Sequence, residues 1–309
     1  MKFKFFLVLS ILVCLIFLYL THFSADFESL SLLILHFRLP RLLALMIAAF
    51  SLSLSGLLIQ TLTRNPLADA GSLGIISGAS AGAVTALALM PLVSQQITLP
   101  LFVILSALLT FSFLYFLAIK KKISNTKLLL LGLSLTALCQ GYIMIIQLFI
   151  NPFDVQKLII WISGEVWQSS WITLFLAFLL LSFLIFILKG QSFSLEVLSL
   201  GDEFSVSLGL ELEKTRRRMY LIAVILAIIS VYLVGGLAFL GLIAPHISKN
   251  LIRFKINSLI FMTGLIGMIF LIASDLFAQL IIYPSSLPLG FVVAFIGAPY
   301  YIYLIQKDL

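Results

Sequence analysis

The sequence predicts an all-α fold: a polytopic membrane protein of about ten transmembrane helices, built as a single transmembrane domain over residues 1–309. Three observations predict it. Of 309 residues, 62% are hydrophobic and 10% charged, with a mean hydropathy of +1.22. A soluble domain carries about 25% charged residues, and a single water-facing core stops growing at roughly 250–300 residues, so the bilayer has to be the solvent. The second observation is that apolar runs of helix length recur along the whole chain. The third is that the charges between those runs are sorted by side.

A span needs about 20 mostly apolar residues. On that rule the runs fall near 5–21, 39–60, 72–93, 98–119, 127–150, 171–189, 218–236, 240–254, 258–282 and 288–305. The first follows Lys2 and Lys4 like a signal peptide, but Thr21–Asp26 offers no small-x-small cleavage site, so it is read as a retained helix. The second run ends at Arg64-Asn65-Pro66-Leu67-Ala68-Asp69, where Pro66 stops one helix and Asp69 is placed to cap the next. The third opens with Gly71, Gly74, Gly78 and Gly82, a spacing that lets two helix backbones approach closely. Between the fifth and sixth runs, residues 151–170 contain Trp161 and Trp167, with Trp171 just beyond. Tryptophan favours the headgroup level, so this segment is expected along the outer interface. The eighth run is short and contains Pro245, which predicts a broken or tilted helix.

With the N-terminus inside, 16 of the 19 basic residues fall on the inner side, and only Arg38, Arg41 and Lys157 fall outside. That is the positive-inside distribution, and a miscount by one helix would scramble it. An even number of spans returns the C-terminus to the same side. The longest inner segment, about 190–217, carries Glu196, Asp202, Glu203, Glu211 and Glu213 and reads as two short amphipathic helices broken at Gly201 and Gly209.

Several functions are excluded or disfavoured. The net charge of +7 is spread over short loops and makes no groove for nucleic acid. Cys14 and Cys139 both sit inside apolar runs and form no disulfide framework or thiolate metal site. Lysine never follows glycine, so there is no phosphate-binding Gly-Lys-Ser/Thr loop, and any ATPase must be another chain. Asp275 is the one acid well inside a run and reads as a packing or capping residue rather than an ion-coupling site. His246, distant in sequence from His22 and His36, reads as a hydrogen-bonded core histidine.

Taken in order, Arg38-Leu39-Pro40-Arg41, Gly56-Leu57-Leu58-Ile59-Gln60, Arg64–Asp69, Leu200-Gly201-Asp202-Glu203, Ser207-Leu208-Gly209, Phe239–His246, Ala273–Leu276, Leu287–Gly290 and Gly297-Ala298-Pro299 resemble the FecCD-type permeases of iron-siderophore, haem and vitamin B12 ABC importers. The resemblance runs from about Arg38 to the C-terminus. It implies a non-enzymatic subunit with ten helices of the vitamin B12 importer type, multi-pass in the cytoplasmic (inner) membrane, both termini cytoplasmic. It implies a second permease subunit, either the same chain or a paralogue, two ATP-binding subunits that hold ATP and Mg, and an extracytoplasmic substrate-binding protein. No cofactor or metal is expected on this chain. By the same resemblance Arg38 and Arg41 match docking arginines for the binding protein, while a third arginine of some relatives is Gln279 here. Gly201, Asp202, Glu203, Ser207, Leu208 and Gly209 match the segment that rests on the ATPase. Ser124, Asn125 and Thr126 match a loop narrowing the inner end of the pathway, and Thr136 and Gln140 match a helix lining it. The cargo expected is a ferric siderophore, with haem or vitamin B12 as alternatives. A stand-alone secondary transporter is the competing class, and the shortage of intramembrane charges weighs against it.

The topology has a direct check. In cells carrying single-cysteine variants, an impermeant maleimide added from outside is expected to label Gln168→Cys and to miss Gln191→Cys. The reverse pattern would overturn the orientation.

Overall fold

The computed structural model describes residues 2–21, 34–89, 95–119, 125–150, 155, 159, 162–166, 170–252, 255–281 and 287–308. Ser124, Trp161 and Trp167 lie outside them, as do the side chains of Asn125 and Thr126. The described chain is mostly helical: α1 Lys2–Thr21, α2 Leu39–Thr63, α3 Ile75–Leu89, α4 Gln95–Leu114, α5 Asn125–Phe149, α6 Trp171–Gly190, α7 Ser192–Leu200, α8 Asp202–Ser207, α9 Leu212–Val234, α10 Leu240–Leu251, α11 Ile256–Ile281 and α12 Leu289–Asp308. A π-helical turn, Ile34–Arg38, leads into α2, and another, Tyr115–Ile119, extends α4.

Ten long helices stand where ten spans are expected, and the two short ones, α7 and α8, fall in the predicted inner segment. Seven of the long helices are long and apolar enough to cross a membrane. Two of the others, α3 and α10, are shorter for identifiable reasons. The start of α3 is replaced by the turn 64–74, which closes with Gly74 at φ +77°. Helix α10 has only 12 residues, about 18 Å of helix against a hydrocarbon core of about 30 Å. It follows a non-helical stretch with Gly235 and Phe239 at positive φ. Non-helical backbone at membrane depth has to be covered by protein or reached by water, and these stretches lie against helices: a Cβ on Gly241 of α10 would lie 3.4 Å from Asp69, and one on Gly236 3.3 Å from the Ser80 hydroxyl of α3. Pro245 sits within α10 without ending it.

The bundle is organised around α2, of whose 25 residues 21 are buried. Apolar and small residues occupy every face of it, which is the pattern of a helix enclosed by protein. It packs on α9, α11 and α10, and more lightly on α6. Small residues set the distance: a Cβ on Gly56 would fall 1.8 Å from the carbonyl oxygen of Gly241, so the backbones of α2 and α10 touch. The expected glycine stripe of α3 works the same way, with Gly78 against Thr110 and Gly82 against Ser106 of α4. By contrast α1 buries only a stripe, Val8, Leu12 and Tyr19, and turns Phe3, Phe6 and Phe17 outward.

The end of the bundle where α2 begins is pinned by Asp275, which is fully buried on α11. Its carboxylate accepts hydrogen bonds from the Tyr19 hydroxyl at 2.7 Å, from Nε and Nη2 of Arg41 at 3.1 and 2.8 Å, and from the Gln279 amide at 2.7 Å. Three helices, α1, α2 and α11, are thereby joined at one carboxylate. The packing role expected for Asp275 is what the structure shows. Removing one partner of a buried ion pair typically costs about 3–5 kcal/mol, whereas replacing both by apolar residues is often neutral. Accordingly, Asp275→Asn is expected to lower the detergent-solubilised chain's thermal unfolding temperature markedly, and the double variant Arg41→Met/Asp275→Leu to recover most of the loss. Equal loss in both variants would contradict this.

Candidate coupling and docking site

The inner segment forms as its sequence predicts. Gly201 at φ +128° separates α7 from α8, and Gly209 at φ +79° ends the turn after α8. One face of α7 is seated on the bundle through Leu195, Val197 and Leu198, and Ser205 of α8 is buried with its hydroxyl donating to the Val197 carbonyl at 3.1 Å. The opposite face is exposed and apolar: Phe193, Leu200, Phe204, Val206 and Leu208 are each 57–66% exposed. The segment is shorter than the expected 190–217, because α9 begins at Leu212 and takes Lys214 and Arg216–Arg218 into its first turns.

Asp202, the first residue of α8, ties this segment to the bundle. Arg216 of α9 donates to its Oδ1 at 2.7 Å, and Arg64 donates to the same oxygen. Arg64 is the residue after α2, held in the left-handed region at φ +49°. Two spans therefore converge on one carboxylate of a short helix. Of the other matched residues, Glu203 is exposed, the Ser207 hydroxyl donates to the Phe204 carbonyl at 2.9 Å, and Gly209 faces open space. A second link runs from α7, whose Glu196 accepts from the Ile256 amide at 3.0 Å and so caps the start of α11.

Beside this site lies the turn 64–74. Asp69 does not cap α3, as its position in the sequence suggested, because the turn continues to Gly74. Its carboxylate accepts from the Ser72 amide at 2.8 Å, fixing the turn. Helix α5 docks on this turn through Gly132, where a Cβ would fall 2.2 Å from the Ser72 carbonyl oxygen. The Thr136 hydroxyl lies 3.3 Å from the Gly71 carbonyl and 3.0 Å from that of Gly132, so it is engaged with backbone and half-buried. Gln140, one turn further on, is exposed. Asn125 and Thr126 begin α5.

At the outer end, Arg38 donates to the Leu20 carbonyl at 2.6 Å, and Arg41 closes on Asp275 with 27% of its side chain exposed. The two arginines stand within one turn of each other at the start of α2, and each is already bonded within the chain. Gln279 stands in the same cluster, with its amide 3.2 Å from the Tyr19 hydroxyl.

Sequence reasoning missed Arg64 and Arg216 as partners of Asp202, and also the contact of Lys249 with the Gln60 amide oxygen at 2.9 Å. Arg64 and Asp202 are 138 residues apart, and no helical periodicity relates them. The only available signal was that all three charges lie on the inner side.

Residues 4–307 match the FecCD transport family. The iron(3+)-hydroxamate import system permease protein FhuG of Bacillus subtilis is 33% identical over 284 residues, 89% of this chain and 84% of its own length. The vitamin B12 import system permease protein BtuC of Vibrio vulnificus is 32% identical over 291 residues, 93% of this chain and 87% of its own. Among solved structures, an inward-facing ABC transporter of metal-chelate type superposes with a TM-score of 0.86 at 25% identity, covering 98% of both chains. Fold, motifs and relatives agree: the chain belongs to the FecCD transport family and is a multi-pass membrane permease.

Proposed function

We propose that this chain is the membrane-spanning subunit of an importer powered by ATP hydrolysed on separate subunits, and that its cargo is a ferric chelate, with a hydroxamate siderophore favoured. The observation that carries the reading is the exposed apolar face of α7 and α8. Five large apolar side chains stand on a segment between spans, on the side rich in basic residues, where the bilayer core does not cover them. A protein partner is the chemistry that covers such a face. Two ATP-binding subunits, one under each of two permease subunits, supply it, the second permease being the same chain or a paralogue.

In this reading Asp202 passes the movement of α8 to α2 through Arg64 and to α9 through Arg216. The cytoplasmic termini follow from the charge distribution. A substrate-binding protein docks at the outer face beside Arg38 and Arg41. Arg41 is bonded to Asp275 and Arg38 to the Leu20 carbonyl, so a docking protein meets two arginines whose positions are already fixed within the chain.

The relatives favour the iron-chelate cargo, since the permeases of iron-hydroxamate and iron-uptake systems match at 33% identity. Vitamin B12 is the second reading, resting on the 32% identity to BtuC. Among the described residues no cluster of three His, Cys, Asp or Glu stands ready to hold a metal ion. A chelate, whose iron already has its ligands, is the form such a pathway passes.

Uptake of labelled ferric hydroxamate and labelled cobalamin by a deletion strain, with and without this gene, separates the readings. Iron-chelate uptake is expected to depend on the gene and cobalamin uptake to be indifferent to it. The opposite pattern would overturn the cargo assignment.

A further inference from the structure

An apolar groove of about 410 Å³ runs down the side of the bundle between α2, α6 and α11. Its volume falls within the roughly 300–1,000 Å³ of small-molecule sites. On α6 it extends from Trp171 to Ile185, about 21 Å at 1.5 Å per residue. The facing walls come from Met46 and Phe50 of α2 and Phe261 and Met268 of α11. All three helices are long and apolar enough to cross the membrane, so the groove opens at the depth of the acyl chains.

Its two ends are chemically different. Trp171 stands at the outer end, the residue type that favours the headgroup level. At the inner end, one turn beyond Ile185, the Lys189 ammonium lies 4.6 Å from the centroid of the Phe261 ring, itself a wall of the groove. The ring face holds the cation at the mouth while its charge stays exposed toward the interface. Glu196, the carboxylate of α7 that reaches α11, is turned to the Ile256 amide.

We propose that this groove is a binding site for one anionic phospholipid of the inner leaflet, with an acyl chain between α2, α6 and α11 and its phosphate at Lys189. An apolar slot takes a chain of any lipid; the cation at its inner mouth selects the negative headgroup. The inference rests on the membrane position of the helices and not on the cargo assignment, so the two fail separately.

The test uses the full chain in vesicles, with Trp161, Trp167 and Trp171 each replaced by Phe and Ser182→Trp as the single reporter, a groove position seven residues and about 10 Å along α6 from Lys189. Acyl-brominated phosphatidylglycerol and phosphatidylcholine are titrated separately over the same range of mole fractions, and quenching of the tryptophan at position 182 is read. Quenching is expected to half-saturate at about five-fold lower mole fraction for the anionic lipid, the factor one lysine contributes beside an anionic lipid. Lys189→Gln is expected to erase that difference and Lys189→Arg to keep it. Quenching that tracks mole fraction equally for both lipids would overturn the proposal. So would a photo-crosslinker at Phe178 in the assembled complex that captures a polypeptide, including a second copy of this chain, instead of a lipid.

Discussion

Everything else in this molecule depends on the enclosure of α2. A helix buried along most of its surface gives up lipid contact except at the groove beside α6 and α11, and it gains protein neighbours elsewhere, which requires small residues where backbones must touch. Gly56 against Gly241, Gly267 against Ser53 and Gly264 against Phe50 meet that requirement. Without a hydrophobic drive between helices in lipid, such close packing is the main source of association. The result is a shaft of 25 residues, about 37 Å long, to which the surrounding helices are fitted.

The charges at the two ends of the shaft differ in kind. At the outer end, Arg41 meets a fully buried Asp275 that also accepts from Tyr19 and Gln279. That cluster is structural: leaving either charge alone there costs several kcal/mol. At the inner end, Arg64 and Arg216 meet Asp202, whose side chain is 45% exposed. An exposed pair contributes only about 0.2–1 kcal/mol. So weak a contribution does little for stability. Its position, between a short helix with an exposed apolar face and two spanning helices, suits a link that carries movement.

The hydropathy runs made ten helices legible, and Gly201 and Gly209 marked the ends of the short ones, because burial in lipid and left-handed backbone leave strong local signals. The start of α9 was placed too late, since Lys214 and Arg216–Arg218 look like loop until their helical register beneath α8 is seen. The Arg41–Asp275 and Arg64–Asp202 pairs were invisible for a different reason. They join residues 234 and 138 positions apart, and only the packing of α2 brings them together. The same packing brings the Thr136 hydroxyl to the Gly71 and Gly132 carbonyls, the first a contact across 65 residues that no local pattern announces.

The central claim is that Asp202 transmits movement without supporting the fold. It is tested most directly in the complete transporter reconstituted in vesicles, comparing the wild type with Asp202→Asn for ATP hydrolysed per chelate transported. The account predicts unchanged assembly with the ATPase and unchanged thermal stability to within about 1 kcal/mol, with the ATP-to-transport ratio raised several-fold. An unchanged ratio in an intact Asp202→Asn complex would contradict it.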